Sequence, residues 1–421
     1  MIVIRDKKIH LRINGNQNLL FIEGSPFCSM DYFMYETVQL IINAMQNGKI
    51  TYSDVVAYVV DNHEFTSDSC FVAEYAYNVL SDLINVCSNK IRNRAMLNGI
   101  IDRRRLEYPG RVELAVTYDC NNRCYFCYAD CPRSMRELST NDWMHIIDKL
   151  IIVGIPHLIF TGGEATLRED LSVLIDRGSK SGLVTGLVTN GRLLTYERCC
   201  ELKKSGLDYV RITVESHSPD SHDSMTRIKG SCVESWLGIE NCVQSGIRTS
   251  ATITVMKDNV SDISDTLIRL GGIGVSLVTI NGLICSGLGK GVTERVDSKI
   301  MAIACKKALN VAEDNNMSIS FVTPYCHEDT SEELVFMGIN SCSAAKDNIT
   351  IQPDGSVIPC QSWFHENSGN ILTDEWCSIW NHETMKKARR SHLIDKCQYC
   401  DFRSNCDGGC PLEKGGKYEI Q

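Results

Sequence analysis

Residues 112–127 read VELAVTYDCNNRCYFC, and the fold can be worked out from this stretch. Its first six residues are mostly apolar or β-branched, as in a buried strand, so we predict a strand at Val112–Thr117. Three cysteines follow with the spacing C-x3-C-x2-C, at Cys120, Cys124 and Cys127. Three thiolates ligate three irons of a [4Fe–4S] cube and leave the fourth iron open, whereas a structural zinc site has four ligands. The spacing alone also allows a zinc site completed by Cys131 or a nearby histidine.

The strand opens a repeating strand–helix pattern. The further apolar, β-rich segments are Leu158–Thr161, Leu183–Thr189, Tyr209–Val214, Thr249–Val255 and Val275–Ile280. Stretches of helical period follow most of them and often end on a glycine; they are Asn141–Val153, Leu167–Lys180, Tyr196–Lys204 and Val233–Gln244. Ser139 and Asp142 resemble a capping box before the first of these helices. The alternation predicts an α/β fold with a parallel sheet, a partial (β/α)6 barrel, whose active site lies at the carboxyl ends of the strands.

The segments on either side of this pattern differ from it. Short strands and then helices predict a small α+β domain at residues 1–105; the strands are Ile2–Ile4, His10–Ile13 and Leu19–Ile22, and the helices are Tyr35–Met45, Tyr52–Val60 and Val72–Ile84. The barrel is expected at residues 106–320, and a cysteine-rich domain at residues 321–421. The chain is therefore predicted to have three domains.

Composition limits the classes of function. Of the 421 residues, 43% are hydrophobic and 23% are charged. No apolar run reaches the roughly 18 residues that span a bilayer, and charge at Arg5 interrupts any signal sequence, so we expect a cytoplasmic protein without a membrane partner. The net charge of −9 repels the phosphates of nucleic acid and so does not suggest a nucleic-acid partner. Because cytosolic thiols stay reduced, the 21 cysteines indicate metal ligation rather than disulfides.

A second motif ends the second predicted strand, where the sequence reads Phe160-Thr161-Gly162-Gly163-Glu164. Glycines permit a close backbone approach at a strand end, and a carboxylate there suits an ammonium group. The cysteine triad, the aromatic pair Tyr125-Phe126 within it and this motif one strand–helix unit later together resemble the radical SAM superfamily. The resemblance implies a [4Fe–4S] cluster whose open iron binds S-adenosylmethionine (SAM).

The resemblance also implies site residues and a reaction. Gly162, Gly163 and Glu164 would hold the methionine amino group of SAM, and the later matches Asn190, Glu215 and Arg227 would line its ribose and carboxylate. One electron from the reduced cube would break a carbon–sulfur bond of SAM and give a 5′-deoxyadenosyl radical. The cofactor carries the difficult chemistry, so no side chain is needed as a nucleophile and none is assigned as catalytic.

The cysteine-rich tail carries its own spacing. Cys342 begins the pattern C-x12-G-x4-C, which ends at Cys360 after an Asp354-Gly355 hairpin turn. A second group follows, at Cys397, Cys400, Cys406 and Cys410. This order resembles the SPASM domain, which binds two auxiliary iron–sulfur clusters, although the spacing also allows a zinc ribbon.

The SPASM resemblance assigns ligands to the two auxiliary clusters. The first would use Cys342, Cys360 and Cys410, with Cys326 as the fourth ligand. The second would use Cys397, Cys400 and Cys406, but the family's final cysteine has no counterpart after Cys410. That cluster would then have an open iron, borrow Cys377 or an oxygen ligand, or be absent.

Several cysteines match no motif. We interpret them as small buried apolar residues; they include Cys28, Cys70, Cys87, Cys199, Cys200, Cys232, Cys242, Cys285 and Cys305. Cys131 is the exception, because its loop faces the expected active site.

The resemblance and the layout predict a function. The N-terminal segment resembles, in layout, the peptide-recognition domain of enzymes that modify ribosomally made peptides. The leading hypothesis is a radical SAM enzyme that cross-links or otherwise modifies such a peptide and takes its electrons from a small protein such as flavodoxin or ferredoxin. The alternatives are a maturase of a protein side chain, a tetrapyrrole or cofactor enzyme, and an iron–sulfur electron carrier or redox sensor.

Overall fold

The structure is a computed structural model. It describes residues 9–14, 17–22, 25–30, 32–47, 49, 51–63, 69–87, 106–129, 136–321, 323, 342–364, 366–390 and 409–412. The predicted strand at Ile2–Ile4 lies outside these residues, as do Cys131, Cys326, Cys397, Cys400 and Cys406.

The N-terminal segment is an antiparallel three-stranded sheet followed by three helices. The strands are β1 (Ile9–Asn14), β2 (Gln17–Ile22) and β3 (Ser25–Met30), in the order β1-β2-β3. The helices are α1 (Tyr32–Gln46), α2 (Tyr52–Asn62) and α3 (Ser69–Cys87). The sequence did not predict β3, because Pro26 removes a donor and breaks the alternation; an edge strand tolerates that loss. Leu20, Val38 and Leu80 belong to a hydrophobic core separate from that of the main sheet.

The main sheet contains all six predicted strands side by side and parallel. They are β4 (Arg111–Thr117), β5 (His157–Gly162), β6 (Val184–Thr189), β7 (Tyr209–Thr213), β8 (Arg248–Thr254) and β9 (Leu277–Asn281). Three strands that the sequence did not predict extend it: β10 (Ser318–Phe321), β11 (Asn348–Ile351) and β12 (Val357–Ile358). The order is β10-β9-β8-β7-β6-β5-β4-β11-β12, and the pairing is parallel except between β11 and β12. The predicted α/β architecture is confirmed.

Helices connect these strands and cover one face of the sheet. They are α4 (Thr140–Val153), α5 (Leu171–Lys180), α6 (Tyr196–Lys204), α7 (Pro219–Thr226), α8 (Ser231–Gln244), α9 (Ile263–Ile273) and α10 (Ser298–Asp314). The predicted capping box at Ser139 and Asp142 is confirmed, with both reciprocal hydrogen bonds present. Alternate strand residues, such as Val210 and Ile212, pack with the helices in one core. Their neighbours therefore lie on the opposite side of the sheet, which we call the inner face.

The tail packs onto the first barrel strand. β11 runs beside β4, and the predicted Asp354-Gly355 turn joins β11 to β12, with Gly355 at φ +87°. Two short helices follow, α11 (Trp376–Trp380) and α12 (Glu383–Arg389). Residues of this segment belong to the same hydrophobic core as the barrel, so the described part of the tail continues the barrel. Among the described residues, no helix is long and apolar enough to cross a membrane.

Candidate functional site

The cysteine loop follows β4 directly and is held in place by neighbouring backbone. The amide of Arg123 donates to the carbonyl of Thr226 (3.0 Å), and the carbonyl of Cys127 accepts from the amide of Leu288 (2.9 Å). Cys120, Cys124 and Cys127 are all half-buried. The other two thiols both act electrostatically on Cys124, so the three sulfurs share one neighbourhood.

Burial makes these thiols poor acids. It raises the pKa of Cys120 to about 11 and that of Cys124 well above its usual value. A thiolate forms at such a position when a neighbouring positive charge compensates for the lost hydration, and a bound metal cluster supplies that charge. The residues present therefore fit an iron–sulfur cluster.

The arrangement fits a mononuclear ion less well. Among the residues that the structure describes, no three histidine, cysteine, aspartate or glutamate side chains converge closely enough to hold a single metal ion.

The paired glycines let the end of β5 lie against the start of the cysteine loop. Gly162 has φ +137°, and a Cβ there would lie 2.0 Å from the carbonyl oxygen of Thr117. A Cβ at Gly163 would lie 2.4 Å from the carbonyl oxygen of Asp119. Two backbone hydrogen bonds join these segments. The amide of Gly163 donates to the carbonyl of Thr117, and the amide of Glu164 donates to the carbonyl of Asp119, both at 2.8 Å. No side chain fits at either glycine, so the motif positions the loop that carries Cys120.

Glu164 joins the ends of β5 and β6. Its side chain is 1% exposed. One carboxylate oxygen accepts hydrogen bonds from the Thr166 amide and hydroxyl and from the Thr189 hydroxyl (2.7 Å), and the other accepts from the Asn190 amide (2.7 Å). Four donors thus converge on this carboxylate, which fixes the loop after β6.

Asn190 and Arg192 connect that loop to the cysteine loop. The side-chain amide of Asn190 donates to the side-chain oxygen of Asn121 (2.6 Å). The Arg192 guanidinium donates to the Asn121 carbonyl and to the side chain of Asn122, and it forms an ion pair with Glu234. The sequence reasoning missed Arg192, although its place two residues after a predicted site residue at a strand end was a usable signal.

Glu215 lies two residues after β7, the strand beside β6 in the sheet. Burial raises its pKa to about 8. The carboxylate accepts from the Thr254 amide (2.8 Å), and its charge acts on Cys124. A buried carboxyl this close to the cysteine loop is well placed to meet a positively charged ligand, which would favour its ionised form.

His222 supports Glu215 from α7. Its Nδ1 accepts a hydrogen bond from the Glu215 amide (3.1 Å), which makes the ring neutral with its proton on Nε2. The ring is 1% exposed, and burial lowers its pKa to about 4. The Nε2 atom has no hydrogen-bond partner among the described residues.

Arg227 ends α7 in the left-handed conformation, at φ 56°. Its guanidinium carbon lies 5.7 Å from the centre of the Tyr125 ring, within the range of a cation–π contact. The Tyr125 hydroxyl donates to Asp258 (2.7 Å). Of the sequence-predicted SAM residues, Arg227 therefore lies beside the aromatic pair of the cysteine loop, whereas Glu164 and Asn190 lie on its other side, next to Asn121.

Part of the tail cysteine set also converges. Burial raises the pKa of Cys360 well above its usual value, and the charges of Cys342 and Cys410 act on it in the same direction. These three thiols therefore lie near one another, as an auxiliary cluster requires. Cys377 is exposed on α11. The remaining predicted ligands, Cys326, Cys397, Cys400 and Cys406, lie outside the described residues.

The cysteines without a motif divide into two groups. Cys199, Cys232, Cys242 and Cys305 are buried, as predicted. For Cys200 and Cys285 the prediction of burial is wrong, because Cys200 is exposed on the solvent side of α6 and Cys285 is half-buried in a loop after β9. The side chains of Cys28, Cys70 and Cys87 lie outside the described set.

Comparison with known proteins gives the family. The Radical SAM superfamily model matches residues 114–270, and the SPASM model, an iron-sulfur cluster-binding domain, matches residues 342–401. The chain is 26% identical over 326 residues to the Fe-coproporphyrin III synthase of Methanosarcina barkeri, covering 70% of this chain and 81% of that protein. It is 27% identical over 319 residues to the mycofactocin maturase MftC of Mycolicibacterium smegmatis, covering 74% and 80%.

A solved structure shares the fold over nearly the whole chain. The crystal structure of Streptococcus suis SuiB bound to precursor peptide SuiA has a TM-score of 0.69 at 14% sequence identity and covers 96% of this chain and 95% of that one. The two family domains also fall on the cysteine loop and the cysteine-rich tail, where the geometry places the two thiol groups. The family models and the geometry therefore identify a radical SAM domain at residues 114–270 and a SPASM domain at residues 342–401, and the chain is an enzyme that uses a [4Fe–4S] cluster with SAM together with auxiliary iron–sulfur clusters.

Proposed function

We propose that this enzyme modifies a ribosomally synthesised peptide by radical chemistry at an unactivated carbon. When bound, the reduced cluster supplies the electron that cleaves SAM to methionine and a 5′-deoxyadenosyl radical. The observation that carries the proposal is the fold likeness to SuiB, which includes the N-terminal segment as well as the barrel and tail. SuiB binds a precursor peptide in its crystal structure, and MftC is also a maturase.

The cysteine loop and the strand ends around it provide the SAM site. We assign the three iron ligands to Cys120, Cys124 and Cys127. The residues that meet SAM are assigned to the two strand-end groups described above, Gly162, Gly163, Glu164 and Asn190 on one side and Glu215 and Arg227 on the other. The saturated carboxylate of Glu164 supports a role in holding the backbone around SAM, while the buried carboxyl of Glu215 suits direct contact with a cation.

The tail and the N-terminal segment have separate roles in this proposal. Cys342, Cys360 and Cys410 bind the first auxiliary cluster with Cys326, and Cys397, Cys400 and Cys406 bind the second. Residues 1–105 form the peptide-binding domain, residues 106–320 the barrel and residues 321–421 the auxiliary-cluster domain. A peptide can add as a strand to an edge of the β1-β2-β3 sheet, since each edge offers main-chain donors and acceptors. Electrons come from a small reducing protein such as flavodoxin or ferredoxin.

The test uses anaerobically reconstituted enzyme with SAM and a chemical reductant. The peptide encoded by a short open reading frame beside the gene should gain a mass change and increase 5′-deoxyadenosine formation. Binding of its leader should be lost when residues 1–105 are removed. If neighbouring short peptides neither bind nor change mass while SAM is still cleaved, the peptide proposal is wrong and the SAM assignment stands.

A tetrapyrrole or a related cofactor is the second candidate substrate. It is favoured by the coproporphyrin synthase of Methanosarcina barkeri, which matches 70% of this chain at 26% identity. This alternative predicts that coproporphyrin III or its iron complex, added at micromolar concentration, shifts its Soret band on binding and is consumed with SAM. The non-enzymatic carrier hypothesis is set aside, because the superfamily and the maturase relative make the chain an enzyme.

A further inference from the structure

Two side chains, which we call the floor, lie across the inner face of the main sheet near the amino ends of its strands. Tyr209, the first residue of β7, lies across β6, where a Cβ on Gly186 would come within 2.3 Å of its ring. The glycine leaves room for the ring, and the Tyr209 hydroxyl then lies 3.0 Å from Nε2 of His157 on β5. This pair spans three strands, β5, β6 and β7.

A single guanidinium lies one layer above this floor. Arg211 is two residues after Tyr209 on β7, and its neighbours Val210 and Ile212 pack with the helices, so its side chain is on the inner face. The residue is half-buried, and its Nε is fully buried without a hydrogen-bond partner among the described residues. A buried cationic donor without a partner is costly to the folded state unless something else satisfies it.

An acidic residue of this face, Glu113, is hydrogen-bonded to the tail. Glu113 of β4 contributes, with Arg211 and Arg111, to the electrostatic surroundings of Tyr209. Its carboxylate, however, accepts a hydrogen bond from the Thr350 hydroxyl of β11 (3.0 Å), and Arg111 turns to Asn348 of the same strand. No ion pair joins Glu113 to Arg211 among the described residues. In the described part of the chain, Arg211 therefore has no ion-pair partner.

Polar groups continue from Arg211 toward the radical site. The register places Arg211 beside Ser250, and one layer higher Thr213 beside Thr252 and Thr252 beside Thr279. The hydroxyl of Thr252 and the side-chain oxygen of Asn281 are both buried without a hydrogen-bond partner in the described part of the chain. Two residues beyond Thr252, the amide of Thr254 donates to Glu215. A polar wall therefore leads from the guanidinium to a residue that we assign to the SAM site.

We propose that Arg211 binds a carboxylate of the substrate on the inner face of the sheet and so sets how deeply the substrate lies below the radical site. A guanidinium matches a carboxylate in a bidentate geometry, which a lysine or an amide does not reproduce. The hydroxyls and the amide oxygen on β8 and β9 suit the polar main chain of a peptide. That the substrate is a peptide rests on the proposed function. The recognition of a carboxylate depends only on Arg211.

The test measures binding of blocked peptide probes to the reconstituted holoenzyme by isothermal titration. One pair is acetyl-Gly-Glu-Gly-amide and its glutamine counterpart, which tests a side-chain carboxylate. The other is acetyl-Gly-Gly-Gly with a free carboxyl end and the same peptide amidated, which tests a C-terminal carboxylate. We expect one carboxylate probe to bind about tenfold tighter than its amide counterpart, as for one charged hydrogen-bonded pair.

The variants decide whether that preference belongs to Arg211. Arg211→Gln should abolish the tenfold preference, and Arg211→Lys should retain part of it. Arg248→Gln is the matched control, because Arg248 lies by the same tyrosine ring (5.6 Å) but is exposed, and its preference should equal that of the parent. The proposal is overturned if the parent shows no preference for a carboxylate, or if the preference survives in Arg211→Gln.

A third probe pair separates this inference from the peptide function. Glutarate and glutaramide carry the same chemical difference without a peptide backbone. If both peptide pairs fail while an Arg211-dependent preference for glutarate remains, the carboxylate site stands and the peptide function fails. If peptides are modified but no probe pair shows the preference, the peptide function stands and the role of Arg211 is wrong.

Discussion

The hydroxyl of Tyr128 donates a hydrogen bond to the side-chain oxygen of Gln361. Tyr128 follows Cys127 in the sequence, and Gln361 follows Cys360, so this bond joins the residues next to a ligand of each of two proposed clusters. A second link lies alongside, because the Ser286 hydroxyl donates to the Ser362 carbonyl (2.7 Å). The described part of the tail is thereby fixed against the cysteine loop, which is distant from it in sequence.

Replacing Tyr128 by phenylalanine tests that link. The ring stays, but Gln361 loses a buried donor, so we expect the free energy of unfolding to fall by about 1 kcal/mol and the thermal midpoint by about 1–2 °C. The electron paramagnetic resonance signal of the reduced auxiliary cluster should also shift, since the residue beside Cys360 is freed. Tyr196→Phe, at an exposed tyrosine of α6, is the control and should change neither quantity. If the signal and the thermal midpoint are both unchanged in Tyr128→Phe, the hydrogen bond does not couple the tail to the cysteine loop.

Gly163→Ala should remove SAM cleavage. Its Cβ would lie 2.4 Å from the carbonyl oxygen of Asp119, and the obstacle is backbone that carries Cys120, so the cysteine loop has to move. We expect the rate of 5′-deoxyadenosine formation to fall about a hundredfold below the parent, as for a misplacement of roughly 1 Å at a reacting centre, and bound iron to fall by up to one cube, about four irons per chain. Iron analysis and chromatography of the nucleoside measure the two effects.

The matched control for that change is Gly272→Ala. A Cβ at Gly272 meets nothing within 4 Å, and the residue lies in α9 with an ordinary helical backbone. Alanine is the better helix former by up to about 1 kcal/mol, so this variant should be as active as the parent and equally or more stable. Equal loss of activity in both variants would contradict the steric explanation.

The positions of the strands followed from the sequence wherever a strand was apolar and preceded a helix. The six strands β4 to β9 have that pattern, and hydrophobic period together with glycine helix ends was enough to place them. β10 and β11 are four residues each, and their pairing is set by contacts distant in sequence. No local signal distinguishes such strands from loops, because a short polar segment gains its strand form from the neighbour it joins.

Sequence motifs predicted which residues lie at the site, but they did not predict the contacts that these residues make. Spacing placed Cys120 and Glu164 at neighbouring strand ends, as found. It did not indicate that Glu164 is saturated by four donors, or that Arg192 holds the cysteine loop, since those partners depend on how two backbone loops approach. The buried Nε of Arg211 without a partner among the described residues was equally hidden, because it depends on which side chains of neighbouring strands reach it.

Glu164→Gln should damage the site although it changes only a carboxylate to an amide. Four donors converge on the carboxylate, and the amide nitrogen of glutamine would face donors instead of accepting from them. We expect a loss of about 2–3 kcal/mol in stability and weaker SAM binding because the Asn190 amide is released. Chemical denaturation and SAM titration measure these effects. Glu169→Gln, at an exposed position five residues on, should match the parent; a stable Glu164→Gln protein with unchanged SAM affinity would contradict the role given to the carboxylate.

His222 should make the protein less stable as the pH falls below neutral. Burial lowers its pKa to about 4 in the folded protein, whereas an unfolded histidine has a pKa of about 6.5. Between these values the unfolded chain binds the extra proton, so stability falls as the pH is lowered from about 6.5 to about 4, by up to about 1.4 kcal/mol per pH unit.

His222→Gln removes this proton while its side-chain oxygen can still accept from the Glu215 amide. The thermal midpoint should therefore drop less between pH 7.0 and 5.5 in His222→Gln than in the parent, while His145→Gln, at an exposed histidine of α4, should drop as much as the parent. Parallel pH curves for the parent and His222→Gln would contradict the buried neutral ring.

Cys360→Ala should separate the auxiliary cluster from the SAM cluster. Cys360 lies among Cys342 and Cys410 in the tail, and its thiol is buried enough that the pKa is raised well above its usual value, so a ligated metal is what makes a thiolate possible there. Removing it takes away one ligand of the auxiliary cluster, so we expect the cluster's electron paramagnetic resonance signal to change and iron to fall by up to one cube, about four irons per chain, while the three thiols of the cysteine loop stay in place. We therefore expect the variant to form 5′-deoxyadenosine from SAM but to lose turnover of its substrate. Cys305→Ala is the control, since Cys305 is a buried cysteine on α10 within the hydrophobic core, with no metal role assigned to it; it should keep the iron content of the parent. A Cys360→Ala protein with the iron content of the parent and an unchanged electron paramagnetic resonance signal of the auxiliary cluster would show that Cys360 does not bind a cluster, because loss of a ligand changes the coordination of one iron even where three other thiolates retain the cube.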